Sequence, residues 1–402
     1  MRAGFSKNED WDFEIRIALG EARSGATDPG EVLAAVDGLR PGDAAGWLEA
    51  WTALGHRVLD AARASLSAGR ATSAASGFLR AASYLARAVN AAAEDDDESR
   101  ILALYREHRE AWEAFLDASG LAVERLSIPL PGTGLDMPAW FVAVDAVEGR
   151  ERRPAMIGVN GSDGPITSMW SAIGRPAHDR GYQVLLFDGP GQQSMLFEQR
   201  VPFVRDFAPV LGAVIDALAA RPDVDPDRIA AYGISQGGYW LPQALADEHR
   251  VAAAIADPGV VDVAASWMRH LPGSMRKLLE EGRQEAFDRE MGTAFRFMGE
   301  AARTWRFRAR PFLADGPFAT LRAVQAFDSR AALPRVTTPL FVSDPEGEAF
   351  WPGQSAELAA LVPGATLVPF TAAEGADLHC EPLGRAVFEQ RAFDWLDGVL
   401  GG

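Results

Sequence analysis

A serine framed by glycines, Gly233-Ile234-Ser235-Gln236-Gly237, stands a little past the middle of this 402-residue chain, with Gly238 behind it. The spacing G-x-S-x-G suits a nucleophile lifted on a sharp turn, where glycines let the backbone pass close and the serine is held under strain. Three fixed positions carry little weight alone: a chain of this size produces roughly 0.1–0.2 such matches by chance. The competing reading is an ordinary serine in a glycine-rich loop, and the surroundings decide between them.

A serine nucleophile needs a base, and the base needs an acid. On a serine carried this way the chain order is serine, acid, histidine. Of the six histidines (His56, His108, His178, His249, His270 and His379) only the last three follow Ser235. His249 sits in the run behind the serine and His270 in a later helical stretch, where surface or lid positions suit them. His379, in AAEGADLHCEP after the last predicted strand, is expected as the base. Cys380 beside it reads as a packed thiol. The acid belongs in the loop DPEGEAFWPGQS, which offers Asp344, Glu346 and Glu348. Glu348 stands four residues before Pro352 and is expected to orient the imidazole. Asp344, closing the strand, is the rival; its alternative job is to accept hydrogen bonds from amides of the turn DPEGE. The oxyanion needs two N–H donors. Gln236, next after the serine, supplies one, and Ser162 or Asp163 in VNGSDGP the other. Without that role, VNGSDGP is simply a glycine-rich turn.

These residues must be held by a scaffold, and the texture of the chain divides in two. The first 120 residues form an alanine-rich helical domain, with helices read from about residue 30 to 118. Asp43 is a fitting N-cap for a run in which Trp47, Trp51, Leu54 and Val58 recur at helical spacing. Phe78, Ala82, Leu85 and Val89 repeat the pattern, as do Tyr105, Trp112 and Phe115. The acidic run Glu94-Asp95-Asp96-Asp97-Glu98 reads as a solvated connection that caps the next helix rather than as a cation site.

From 121 to 402 short apolar runs alternate with turn signals. AVERLSIPL (122–130) and PAWFVAVD (138–145) predict an opening hairpin. AMIGVNG (155–161), YQVLLFDG (182–189), RIAAYG (228–233), VAAAIAD (251–257), PLFVSD (339–344) and ATLVPF (365–370) follow, most with room for a helix between them. That rhythm predicts an α/β fold, a mostly parallel eight-stranded sheet. It breaks between about 258 and 333, where an Arg- and Phe-rich helical stretch predicts an inserted lid. Ser235 thus follows a buried strand and opens a helix through YWLPQALADEH, as a nucleophile turn requires.

Composition narrows the function classes. The formal net charge of −17 argues against nucleic acid or an anionic membrane as partner. No run approaches the roughly 18 apolar residues of a membrane span, and the start lacks the apolar stretch of a signal peptide, so a cytoplasmic setting is expected. A single cysteine, Cys380, excludes an internal disulfide and a cysteine-built metal site. No other set of side chains has ligand spacing, and no cofactor or metal is expected.

FDGPGQQSMLFEQR (187–200), YGISQGGYW (232–240) and EGADLHCEP (374–382) together resemble the α/β-hydrolase family that includes 2,6-dihydroxypseudooxynicotine hydrolase and fungal hydrolases that shorten polyketide precursors. The resemblance covers about residues 40–400. It implies a Ser-acid-His triad without a cofactor, a frequent homodimer, and cleavage of a carbon–carbon bond beside a ketone or of an ester. The chain departs from the family in placing Glu where Asp is more usual, and in a lid of its own. A small, flat, apolar substrate is expected in a pocket between helical domain and lid. Trp170, Trp240, Trp267 and Trp305 can line it, or can equally be core. An acyltransferase or cyclase using the same acyl-enzyme, and a ligand-binding module without turnover, are the alternative functions.

Overall fold

The structure, a computed structural model, describes residues 4–94, 97–144 and 152–401. Asp95 and Asp96 of the acidic run, and Asp145 at the end of the second strand segment, lie outside them.

Five helices come first: α1 (Glu9–Gly20), α2 (Pro29–Val36), α3 (Ala44–Ser67), α4 (Ala71–Ala93) and α5 (Glu98–Ser119). The caps follow the expected chemistry. The Asp43 carboxylate accepts the N–H of Gly46 at the start of α3, and Asp97 accepts that of Arg100 at the start of α5. Trp47, Trp51, Leu54 and Val58 form the buried face of α3. On α4 small side chains are buried almost all round, so α3 and α5 can pack closely on either side of it. The helices begin earlier than residue 30. Asn8 caps α1 by accepting the Trp11 N–H at 3.0 Å, and Trp11, Ile15 and Ala18 are its buried stripe.

The sheet has eight strands: β1 (Ala122–Leu130), β2 (Leu135–Ala143), β3 (Arg153–Val159), β4 (Gln183–Phe187), β5 (Val224–Ile234), β6 (Ala253–Asp257), β7 (Leu340–Pro345) and β8 (Thr366–Phe370). Their order is β1-β2-β4-β3-β5-β6-β7-β8, antiparallel from β1 to β2 and β2 to β4 and parallel beyond. Alternation sends successive side chains to two cores. On β5, Ala230 and Tyr232 join the core shared with the helical domain, while Ile229 and Ala231 join the one beneath the opposite face. Trp112 of α5 meets Trp140 of β2 edge-on at 6.3 Å between ring centroids, and Arg23 pairs with Glu389 at 2.9 Å, so the helical domain is anchored on the sheet.

Between β6 and β7 five helices take the place of one crossover: Ala264–Met268, Gly273–Glu280, Gln284–Phe295, Gly299–Ala309 and Gly316–Val324. They carry a small core of their own around Leu279, Phe287 and Leu321. Because β3 to β8 run parallel, their carboxyl ends share one edge of the sheet, where ligands bind in open α/β folds. Ser235, the loop after β3, the loop after β7 and the segment bearing His379 all emerge there. No helix among the described residues is long and apolar enough to cross a membrane.

Candidate active site

Ser235 follows the last residue of β5 and adopts φ 54°, a left-handed conformation that costs energy for any residue bearing a Cβ. Its surroundings require glycine at two points. A Cβ on Gly238 would lie 1.9 Å from the Pro258 carbonyl oxygen, and one on Gly161 would lie 3.0 Å from Ser235 Cβ. The strained turn is fixed from below, where the Ser235 N–H donates to the Asp257 carbonyl at 2.6 Å.

Ser235 Oγ lies 2.9 Å from His379 Nε2, and His379 Nδ1 lies 2.7 Å from Glu348 Oε2. With the proton on Nδ1, the imidazole donates to the carboxylate and is free to accept from the serine. Glu348 is held in turn by its other oxygen, which accepts the N–H groups of Phe350 at 2.7 Å and Trp351 at 3.0 Å. Burial works against its charge, but the His379 ring and these donors outweigh it and keep its pKa below the usual glutamate value. The rings of Phe350 and Trp351 pack on the imidazole, at 4.6 and 5.7 Å between centroids.

Asp344 is placed differently. Burial, and then the charge of Glu348, push its pKa up, and among the described residues its carboxyl makes no hydrogen bond. The expected role for it in capping the turn is therefore corrected. The turn is closed by backbone instead: Gly347 donates to Asp377 O at 2.7 Å and Glu348 to Pro345 O at 3.1 Å. Cys380 sits as a packed thiol whose Sγ donates to Asp257 O at 3.2 Å, with burial pushing its pKa well up.

Gln236 opens the helix Gly237–Ala244, and Ser162 and Asp163 line the same cavity as Ser235. The loop carrying them is tied by Gln192, a residue of the DGPGQ run whose function the sequence left open. Gln192 Nε2 donates to the carbonyls of Asn160 and Gly161, both at 2.9 Å, while its Oε1 accepts the Gly189 N–H at 3.1 Å. The Gly161 N–H is committed to Asn160 Oδ1 at 2.8 Å. In a trans peptide C=O and N–H point opposite ways. Tying the Gly161 carbonyl to Gln192 therefore aims the Ser162 N–H away from Gln192.

The cavity above these groups measures about 290 Å³. Of the four tryptophans expected to line it, only Trp267 does. Trp170 is core, packed by Trp112 at 6.4 Å and Phe115 at 6.1 Å where the helical domain meets the sheet. Trp240 is also core: its indole packs on Phe203 at 4.9 Å and donates to Val204 O at 2.7 Å. Trp305 stands behind Trp267, edge-on at 5.1 Å. The aromatic lining comes instead from Trp11 and Phe13 of α1, Phe307 and Phe312 of the helical segment between β6 and β7, and Phe350 and Trp351. Helix α1 also contributes Glu14, three residues after the buried Trp11 and four before the buried Ala18. A carboxylate on the apolar face of an amphipathic helix is the sequence signal that would have found it. Among the described residues no group of three or more His, Cys, Asp or Glu is placed to hold a metal ion.

Residues 177–290 match the model of the prolyl oligopeptidase family. The chain is 30% identical over 290 residues to the α/β hydrolase gkaG of Penicillium citrinum, covering 69% of this chain and 66% of that one. It is 34% identical over 269 residues to the hydrolase ORFZ of Pyricularia oryzae, covering 63% and 62%. It thus spans just under two thirds of each of these relatives. A match to the hydrolase acrC of Aspergillus aculeatus is more distant but longer, 26% identical over 98% of this chain and 97% of that one. Among solved structures, 2,6-dihydroxy-pseudo-oxynicotine hydrolase superposes with a TM-score of 0.73 at 21% identity, covering 95% of both chains, which shows the fold. Eight strands in this order with a helical domain ahead of them give the chain the α/β-hydrolase fold, and the relatives it resembles are hydrolases.

Proposed function

We propose that the chain is a serine hydrolase that cleaves an ester, or a carbon–carbon bond next to a carbonyl, in a small aromatic or polyketide-like substrate. The observation that carries this is the unbroken contact from Ser235 Oγ through His379 to Glu348 at the floor of an aromatic-lined cavity. In this reading His379 Nε2 takes the Ser235 proton as Oγ attacks the carbonyl carbon. The N–H groups of Gln236 and Ser162 hold the tetrahedral oxyanion, with Asp163 as the alternative second donor. Glu348 stabilises the imidazolium and does not itself take the proton. As the intermediate collapses, the imidazolium returns the proton to the leaving oxygen, or to the leaving carbon where that group departs as an enolate. Water, deprotonated by His379, then attacks the acyl-enzyme and frees the acid.

The carbon–carbon reading is supported by the resemblance of FDGPGQQSMLFEQR, YGISQGGYW and EGADLHCEP to a family in which such cleavage occurs. The polyketide-like substrate is supported by the resemblance of the DGPGQ and EGADLHCEP segments and by the aromatic lining. A fluorophosphonate probe tests the mechanism: it should label Ser235 in the native chain and fail to label Ser235→Ala or His379→Ala. Labelling that persists in Ser235→Ala would refute it.

A further inference from the structure

Glu14 is a carboxyl group that the chemistry above does not use. It projects from α1 into the cavity that holds Ser235 and His379, and among the described residues it has no hydrogen bond and no ion pair. Its neighbours make this notable. Glu21 and Arg87 pair at 2.8 Å, and the other oxygen of Glu21 accepts from Ser168 Oγ at 2.5 Å, so the guanidinium of Arg87 is already committed. Asp163, from the loop after β3, accepts from Ser162 Oγ at 2.9 Å, and Glu94, at the end of α4, lies 3.8 Å from Arg303. Asp10 lines the same wall, and Arg308 faces the cavity from the lid, over the Phe350 ring at 5.6 Å and not paired with Glu14. Glu14 is thus half-buried among other acids. Burial first, against some help from Arg87, raises its pKa to about 7. An enclosed polar group without a partner costs free energy, and that cost is recovered by a ligand that supplies one.

We propose that Glu14 reads a part of the substrate other than the scissile carbonyl by accepting a hydrogen bond from it, and that a protonated amine there binds more tightly than a neutral group of the same shape. The proposal rests on the reading of this cavity as the substrate cavity. A cation is favoured over a neutral donor because Glu14, Glu21, Glu94, Asp163 and Asp10 outnumber the guanidiniums beside them. The aromatic rings that line the same cavity suit a ligand that is apolar apart from the group Glu14 meets.

Binding separates this proposal from the serine mechanism, because it needs no turnover. In Ser235→Ala, titration calorimetry at pH 7 with 6-aminohexanoyl anilide and hexanoyl anilide should show the amine binding at least tenfold more tightly. Glu14→Gln in the same background should bring the two within about twofold. Amine binding should also release the Glu14 proton, so the measured heat should vary with the ionisation enthalpy of the buffer, and that variation should vanish in Glu14→Gln. Equal affinities, no measurable binding of the amine, or an amine preference that survives Glu14→Gln would overturn the proposal. Failure of fluorophosphonate labelling would instead sink the serine reading and leave these affinities unaffected.

Discussion

Arg385 Nη1 donates to Asp257 Oδ2 at 2.8 Å, and this buried pair joins the two halves of the site from beneath. The Asp257 carbonyl accepts from the Ser235 N–H and the Cys380 thiol, while its carboxylate also accepts from Tyr232 Oη at 2.6 Å and Ser343 Oγ at 2.8 Å. Arg385 meanwhile donates to the carbonyl of Cys380 at 3.0 Å, next to the base. Burial opposes the charge of Asp257, but Arg385 and its hydrogen bonds outweigh it and hold the pKa low, whereas burial and the charge of Asp257 push that of Glu381 well up. Cys380 and Glu381, at φ 58° and 43°, are consecutive left-handed residues that only such a network retains.

Removing the cation leaves a buried carboxylate without its main partner, a change that costs about 3–5 kcal/mol. Arg385→Met should therefore lower the urea midpoint by that equivalent and reduce kcat in the surviving folded fraction. An unchanged midpoint would show that the network tolerates a lone Asp257.

The identity of the acid can be tested by two conservative changes. Glu348→Gln keeps the shape but offers the ring the wrong hydrogen bond, and related triads lose roughly 10⁴-fold in kcat when the acid is neutralised this way. Asp344→Asn should retain activity and, at pH 8, equal or slightly greater stability. The sign follows from its raised pKa: the folded state holds that proton more tightly, so stability falls as pH rises through the titration, and asparagine is spared this loss. A large loss of kcat in Asp344→Asn with an active Glu348→Gln would reverse the assignment.

The contrast between these two carboxylates shows what the sequence makes legible. All eight strands appear where apolar runs of period two or continuous burial put them, because each strand's pattern is local. The order Ser235, Glu348, His379 and the proline after the acid are likewise patterns along the chain. Asp344 could be seen to end a strand, but its lack of a hydrogen bond depends on which backbone groups the turn brings near, and those come from Asp377 and Pro345. The tryptophans were harder still. Trp170, Trp240, Trp267 and Trp305 are alike in type, and only the rotation of each helix decides which faces core and which faces cavity. Helix α1 escaped because its lining side chains become a wall only when it is laid across the lid and the sheet edge.

Gln192 positions the loop beside the nucleophile without touching the reacting atoms. Gln192→Leu preserves bulk but releases the carbonyls of Asn160 and Gly161. If the Ser162 N–H is an oxyanion donor, kcat should fall by about 10²–10³-fold, the loss seen when one such donor is removed, with KM changed little. Fluorophosphonate labelling should slow in parallel, since its adduct also carries an oxyanion-like oxygen. A rise in KM at unchanged kcat would assign Gln192 to shaping the cavity instead.

Glu14 makes a prediction about stability that needs no substrate at all. Its pKa is pushed up to about 7 in the folded chain, against an ordinary value of 4.5, so the native state binds its proton more tightly than the unfolded state does. Stability contributed by this group is therefore full below about pH 4.5 and declines until the pH has passed 7. Glu14→Gln, which cannot ionise, should escape the decline. The variant should match the native chain near pH 4 and exceed it at pH 8 by about 1–3 kcal/mol, read as a difference in urea midpoint at each pH. The neighbouring groups that titrate or carry charge, Arg87 and Glu21 behind it, Asp163 from the loop after β3 and Glu94 from α4, are common to both proteins and cancel in the difference. A gap of the same size at both pH values would mean that glutamine packs better for reasons unrelated to charge. A gap that opened toward low pH would mean that Glu14 has a cationic partner in the folded chain, and the cavity would then have no bare carboxylate to offer a ligand.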